Sequence, residues 1–197
     1  MTLTIIGDTH GKLTEYFNIV KQHKYTLCVG DFGFANEYNE LNRSGLDWKN
    51  HKILRGNHDD YNWPSPFVLP DFGVEKLDEI EFFFVRGANS IDKHLRTPYQ
   101  SWWPNEQLDY SQAQEAAQLY SEIKPNLIIT HDCPSCIVQK MFTYQPIRSY
   151  TGDLLDQLFH VHQPALWIFG HHHKSIQKNI SGTLFVCLNE LETYTLL

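Results

Sequence analysis

Positive charge is scarce in this 197-residue chain: 16 Lys and Arg stand against 23 Asp and Glu, a formal net charge of −7. Such a balance argues against the basic face that general nucleic-acid binding uses. It leaves room for a nucleotide substrate, because bound metal ions can supply positive charge locally. Long apolar runs are missing as well, and none approaches the ~20 residues of a membrane-spanning helix. No signal peptide is visible, since Met1-Thr2-Leu3-Thr4-Ile5-Ile6 leads straight into a polar loop at Asp8. Cysteine is limited to Cys28, Cys133, Cys136 and Cys187. Cys28 and Cys187 lie in apolar, strand-like runs, where the residue behaves as a small hydrophobe. Cys133-Pro-Ser-Cys136 has a C-x-x-C spacing but lacks the second pair of a structural zinc site and the strand–helix context of a redox motif. The expectation is unpaired, reduced thiols in a loop of a cytoplasmic protein. Repeats, low-complexity tracts and interdomain linkers are also missing, so one domain over residues 1–197 is expected.

What the chain does have is an α/β rhythm. Leu3–Ile6 reads as a strand, Lys12–Gln22 as a helix, Thr26–Val29 as a strand, Phe34–Lys49 as partly helical, and Ile53-Leu54 as a third strand. Val74–Leu77 and Ile80–Val85 read as two more strands. A long stretch without clear period, residues 87–109, follows and is expected to be a functional insert rather than disorder, given Trp102 and Trp103. Ser111–Ile123 is the clearest helix, with Ser111 placed to cap it. Leu127–Ile129 is a strand, Asp132–Tyr150 a loop, Asp153–Phe159 a short helix and Leu166–Phe169 a strand. The tail holds strand candidates at Ser175–Ile180, Thr183–Leu188 and Leu191–Leu196. Periodicity alone gives an α/β protein with a β-rich tail.

Eleven histidines are many for this length, and several fall in polar clusters at or near the ends of apolar runs. In chain order the clusters are Asp8-Thr9-His10, Gly30-Asp31, Gly56-Asn57-His58-Asp59, Thr130-His131 and Gly170-His171-His172-His173. In open α/β sheets ligands gather at the carboxyl ends of strands. Carboxylate, imidazole and amide oxygen are also the donors that suit Mn, Fe, Zn or Ni.

This order of D-x-H, G-D, G-N-H, H and G-H-x-H resembles the calcineurin-like metallophosphoesterases over almost the whole chain. The resemblance implies a four-layer α/β/β/α sandwich of two mixed sheets flanked by helices. It implies a phosphoesterase with two divalent metal ions, Mn favoured, acting on a phosphomonoester or phosphodiester of a small molecule or nucleotide by attack of a metal-bridging hydroxide. Two such ions ~3.5–4 Å apart generate the nucleophile and screen the phosphoryl oxygens. Carried over by position, the family pattern gives Asp8, His10, Asp31 and His173 to the first ion. It gives Asp31, Asn57, His131 and His171 to the second, with Asp31 bridging. His58 matches the catalytic histidine, and Asp59 is expected either to orient it or to serve as a simple turn acid.

Two departures narrow the reading. Protein serine/threonine phosphatases of this superfamily carry an arginine in G-D-x-V-D-R-G, whereas this chain has Gly30-Asp31-Phe32-Gly33-Phe34-Ala35. The insert, with Ser90, Asp92, Arg96, Trp102-Trp103 and Glu106, looks like a segment of small bacterial and phage phosphoesterases. Arg96 stands as a substrate-phosphate contact or as the partner of Asp92, four residues before it. His172 stands as a substrate contact or a loop histidine. The competing reading is a non-catalytic protein-interaction module that kept the fold; the complete ligand set and His58 argue against it. Oligomeric state, metal identity and substrate are not encoded in any motif.

Overall fold

The computed structural model describes residues 2–197. The chain begins with β1 (Leu3–Ile6), α1 (Leu13–Val20), β2 (Thr26–Cys28), α2 (Ala35–Arg43) and β3 (His51–Ile53). It continues with β4 (Phe72–Leu77), β5 (Ile80–Val85), α3 (Tyr110–Ile123), β6 (Leu127–Thr130), α4 (Ser135–Met141), α5 (Tyr150–Val161) and β7 (Leu166–Phe169). It closes with β8 (Ile176–Ile180), β9 (Thr183–Cys187) and β10 (Thr193–Leu196). Two mixed sheets result, in the orders β10-β1-β2-β3 and β4-β5-β6-β7-β9-β8. The inner pairings β1–β2–β3 and β5–β6–β7–β9 are parallel, and the antiparallel strands lie at the edges.

Side-chain alternation builds the layers. Successive strand residues point to opposite faces, so Leu3, Ile5, Leu27 and Val29 of the first sheet meet Phe82, Phe84, Ile129, Ile168 and Val186 of the second between the sheets. The alternate residues Ile6, Cys28 and Ile53 turn outward onto Tyr16 and Val20 of α1 and Tyr38 and Leu41 of α2. On the far side, Phe83, Val85, Ile128, Trp167 and Phe185 pack on Ala116 and Tyr120 of α3, Ile137 of α4 and Leu155 and Leu158 of α5. This is the four-layer α/β/β/α arrangement.

Three local expectations are corrected. Helix α3 is capped by Asp109 rather than Ser111: the Asp109 side chain accepts from Gln112 N, and the Gln112 side chain accepts from Asp109 N. The D-x-x-Q capping box satisfies two backbone donors at once. The expected loop 132–150 contains α4, whose start directly after Pro134 puts Cys136 in a helix. Pro134 contributes no N–H and stands before the first turn, so it begins this helix rather than preventing it. Helix α5 starts at Tyr150, because Ser149 Oγ accepts from Gly152 N at 2.9 Å. All four thiols are free.

In the insert the only regular element among the described residues is a single 3-10 turn at Lys93–Leu95. Trp103 is buried and packs on Phe34, with ring centroids 5.4 Å apart. Among the described residues no helix is long and apolar enough to cross a membrane.

Candidate metal centre

Each polar cluster follows a strand. Asp8 follows β1, Asp31 follows β2, Asn57 follows β3, His131 follows β6, and His171 and His173 follow β7. The parallel pairings aim these strand ends in one direction, and the packing of the two sheets sets them side by side. Fitting so many side chains into one volume bends the backbone. His10, Asp31, His171 and His173 all hold positive φ, at 47°, 48°, 62° and 49°. Non-glycine residues in the left-handed region cost roughly 1–3 kcal/mol each, a strain that clusters at functional sites. Two glycines make the approach possible. A Cβ at Gly56 would overlap Asp31 Oδ1 and His131 Cε1, and one at Gly170 would overlap Asp8 Oδ1.

The side chains form two adjoining groups. In the first, Asp8, His10, Asp31 and His173 each offer an atom within 4.8 Å of the others. His10 Nε2 lies 2.9 Å from His173 Nε2 and 3.7 Å from Asp31 Oδ2, and His173 Nε2 lies 3.2 Å from Asp8 Oδ2. In the second, Asp31, His131 and His171 meet the same criterion. His131 Nε2 lies 3.3 Å from Asp31 Oδ1 and 3.1 Å from Asn57 Oδ1. One carboxylate therefore turns Oδ2 toward the first group and Oδ1 toward the second.

The donor chemistry of the second group fits a cation. His131 Nδ1 is 2.9 Å from the Val29 carbonyl, which can only accept, so Nδ1 carries a proton. A neutral His131 then presents a bare Nε2 to two acceptor oxygens. Asn57 fixes its own orientation by donating Nδ2–H to Ser90 Oγ at 3.0 Å, which leaves Oδ1 facing His131. Burial opposes charge on His131, but Asp31 and Asp8 override it and lift the imidazole to about 10, so Nε2 holds a proton that a bound cation would displace. Asp31 shows the complement: burial raises its pKa, yet His131, His58 and His10 hold it well below the usual carboxylate range. His171 lies lower, at about 4, chiefly through burial, and a neutral imidazole is the ligating form. A divalent ion in each group would satisfy these converging lone pairs, and the residues present fit two.

His58 lines a cavity in front of the two groups, together with Asp31, Asn57, His171 and His173, and is held by its backbone N–H, which donates to Asp31 Oδ1 at 2.8 Å. Burial lowers its pKa, and its Nδ1 has no hydrogen-bond partner among the described residues. Among the described residues Asp59 makes no hydrogen bond to it. Asp59 Oδ1 accepts from Gly33 N at 2.9 Å and Tyr38 Oη at 3.0 Å, and Oδ2 accepts from Gly56 N at 2.6 Å. The carboxylate ties the Asn57 loop to the loop after β2.

Arg96 stands between its two expected roles. Its guanidinium grips Asp92 through Nε–Oδ1 at 2.8 Å and Nη2–Oδ2 at 2.7 Å. Nη2 also lies 3.4 Å from His58 Nε2. His172 turns away from the two groups into a cluster of its own. Its Nδ1 meets Tyr144 Oη at 2.6 Å, and its Nε2 meets Asp132 Oδ1 at 3.1 Å and Cys133 Sγ at 3.5 Å. Both ring nitrogens are occupied there. Burial raises Asp132, but His171 and His172 beside it bring it down to about 2.

Two further residues support the site from outside every motif. Ser90 Oγ donates to Glu106 Oε2 at 2.6 Å, and Ser90 N donates to Glu106 Oε1 at 2.9 Å. Together they extend the support of Asn57 into the insert. Their sequence signal is the insert's likeness to a segment of small bacterial and phage phosphoesterases, which gives neither residue a role.

Residues 1–175 match the family described as calcineurin-like phosphoesterase. No curated protein matches the chain. Among solved structures, a provisional 5'-nucleotidase from Staphylococcus aureus aligns with a TM-score of 0.55 at 12% identity. The match covers 98% of this chain and 50% of that one, so this chain spans about half the length of that protein. Phosphopantetheinyl hydrolase from Mycobacterium tuberculosis aligns with a TM-score of 0.55 at 11% identity, covering 96% of this chain and 89% of that one. A hypothetical protein from Thermus thermophilus gives a TM-score of 0.50 at 15% identity, covering 95% of this chain and 75% of that one. At these identities the structural matches speak for the fold alone. With the family match spanning most of its length, and two groups of ligating side chains at its strand ends, this chain belongs to the calcineurin-like phosphoesterase family.

Proposed function

We propose that the protein is a dinuclear metal-dependent phosphoesterase that hydrolyses a phosphomonoester or phosphodiester of a small molecule or nucleotide. The observation that carries the reading is Asp31, whose two oxygens face two different groups of ligating atoms. Asp8, His10, Asp31 and His173 would hold one divalent ion, Mn favoured, and Asp31, Asn57, His131 and His171 the other. When bound, two such ions supply an activated water and the positive charge that draws in a phosphoryl group. With only Asp8 and Asp31 as anionic ligands, two dications leave a net positive charge for the substrate. Asn57 donates its oxygen without adding negative charge.

The remaining chemistry falls to His58. Beside Asp31 and lining the cavity, it is placed to protonate the departing oxygen or to stabilise charge on the phosphoryl group. Arg96, held by Asp92 next to His58, adds positive charge on that side. The test is an assay panel with Mn(II) added: p-nitrophenyl phosphate, its bis ester and cyclic nucleotides. Metal-dependent turnover of at least one class supports the reading. A fully metal-loaded protein that turns over none of them favours the interaction module.

A further inference from the structure

The cavity in front of the candidate metal centre has a volume of about 590 Å³, a size suited to one small organic ligand. Its lining joins two chemistries. Asp31, Asn57, His58, His171 and His173 belong to the candidate metal centre. Ile91 from the insert, and Val138, Pro146 and Ile147 from α4 and the segment that follows, are apolar. Ile91 is 65% exposed and Ile147 59% exposed, although both line this cavity. Large apolar side chains open to water beside a polar site gain free energy when an apolar body covers them.

Charge sharpens the selection. No lysine or arginine lines the cavity among the described residues, whereas Asp92 and Asp132 do. The nearest guanidinium, that of Arg96, already has two of its nitrogens on Asp92. A second phosphate or a carboxylate on the substrate would find no lysine or arginine among the residues that line the cavity.

Resting on the phosphoesterase reading, we propose that the substrate carries a single phosphoryl group and an uncharged, apolar ester group that lies against Ile91, Val138, Pro146 and Ile147. The phosphoryl oxygens face the metal groups and His58, and the apolar body covers these four side chains. Nucleoside polyphosphates, sugar bisphosphates and phosphopeptides with acidic flanks are disfavoured by the same lack of a cation in the lining.

Binding tests this separately from turnover. Titration calorimetry on the Mn(II)-supplemented protein would compare methylphosphonate, benzylphosphonate and 4-carboxybenzylphosphonate, none of which can be hydrolysed at its P–C bond by ester cleavage. Benzylphosphonate should bind about tenfold or more tighter than methylphosphonate through apolar burial. The carboxylated analogue should bind about tenfold weaker than benzylphosphonate through repulsion in a partly desolvated site. Ile147→Lys, at an exposed position, should raise the affinity for the carboxylated analogue relative to benzylphosphonate by about tenfold. Affinities within twofold of one another, tighter binding of the carboxylated analogue, or no binding of any of the three would overturn the proposal. An apolar preference in a protein that hydrolyses no ester would uphold the pocket's selectivity while counting against the phosphoesterase reading.

Discussion

Asn57 donates its amide N–H to Ser90 Oγ at 3.0 Å, so its orientation is set by the insert rather than by its own loop. Ser90 is in turn held by both oxygens of Glu106. Groups that orient a metal ligand from behind typically affect metal affinity by 10–100-fold. Ser90→Ala and Glu106→Gln should therefore weaken binding of the second ion by about tenfold or more while the first ion stays in place. Competitive titration with a metal-sensitive dye resolves the two affinities. Equal loss at both sites would point to a general loosening of the fold.

Adjacent residues in the same loop should behave differently. Asn57→Ala removes an oxygen that faces His131 Nε2, so it should weaken one ion, and added metal should partly restore turnover. His58→Ala should leave both ions in place and lower the rate by about 10²–10⁴, the usual contribution of a positioned acid. The loss should be greatest for esters with poor leaving groups, which need a proton most. Equal slowing of activated and unactivated esters, with both ions retained, would assign His58 to charge stabilisation instead.

Arg96 is held by Asp92 yet lies 3.4 Å from His58 Nε2. If its charge serves the phosphoryl group, Arg96→Ala should lower kcat/KM while thermal stability changes little, since exposed ion pairs contribute about 0–1 kcal/mol. Unchanged steady-state kinetics together with a small drop in Tm would make it only the partner of Asp92.

Asp59 accepts from Gly33 N, Gly56 N and Tyr38 Oη while fully buried. Asp59→Ala would strand donors in the interior, at about 1–3 kcal/mol for each unsatisfied group. Urea denaturation of the metal-free protein should show a loss of at least about 2 kcal/mol. Full stability with a reduced kcat would restore the orienting role expected from its neighbourhood to His58.

The contrast between His58 and Asp59 shows what the sequence could carry. The clusters that end at Asp8, Asp31, Asn57, His131 and His171 were legible because each follows an apolar run, and parallel strands place such ends together. Strand existence was legible for the same reason, since apolar runs bounded by glycine and polar residues have little alternative. Partners set by tertiary contact were not legible. Nothing local says that Asp59 reaches back to Gly33, that Glu106 supports Ser90, or that His172 faces Asp132 and Tyr144. Helix α4 was missed because Pro134 reads as a break when it stands just before a helix's first turn. The cap of α3 was misplaced by two residues because Ser111 and Asp109 both suit the role, and only the reciprocal bond with Gln112 separates them.

In the proposed function one carboxylate, Asp31, joins two metal sites. Anomalous scattering from crystals grown with Mn(II) measures this directly. Two peaks should appear about 3.5–4 Å apart, one on either side of the Asp31 carboxylate, with Asp8, His10 and His173 around one and Asn57, His131 and His171 around the other. A single peak, or two peaks that do not share Asp31, would contradict it.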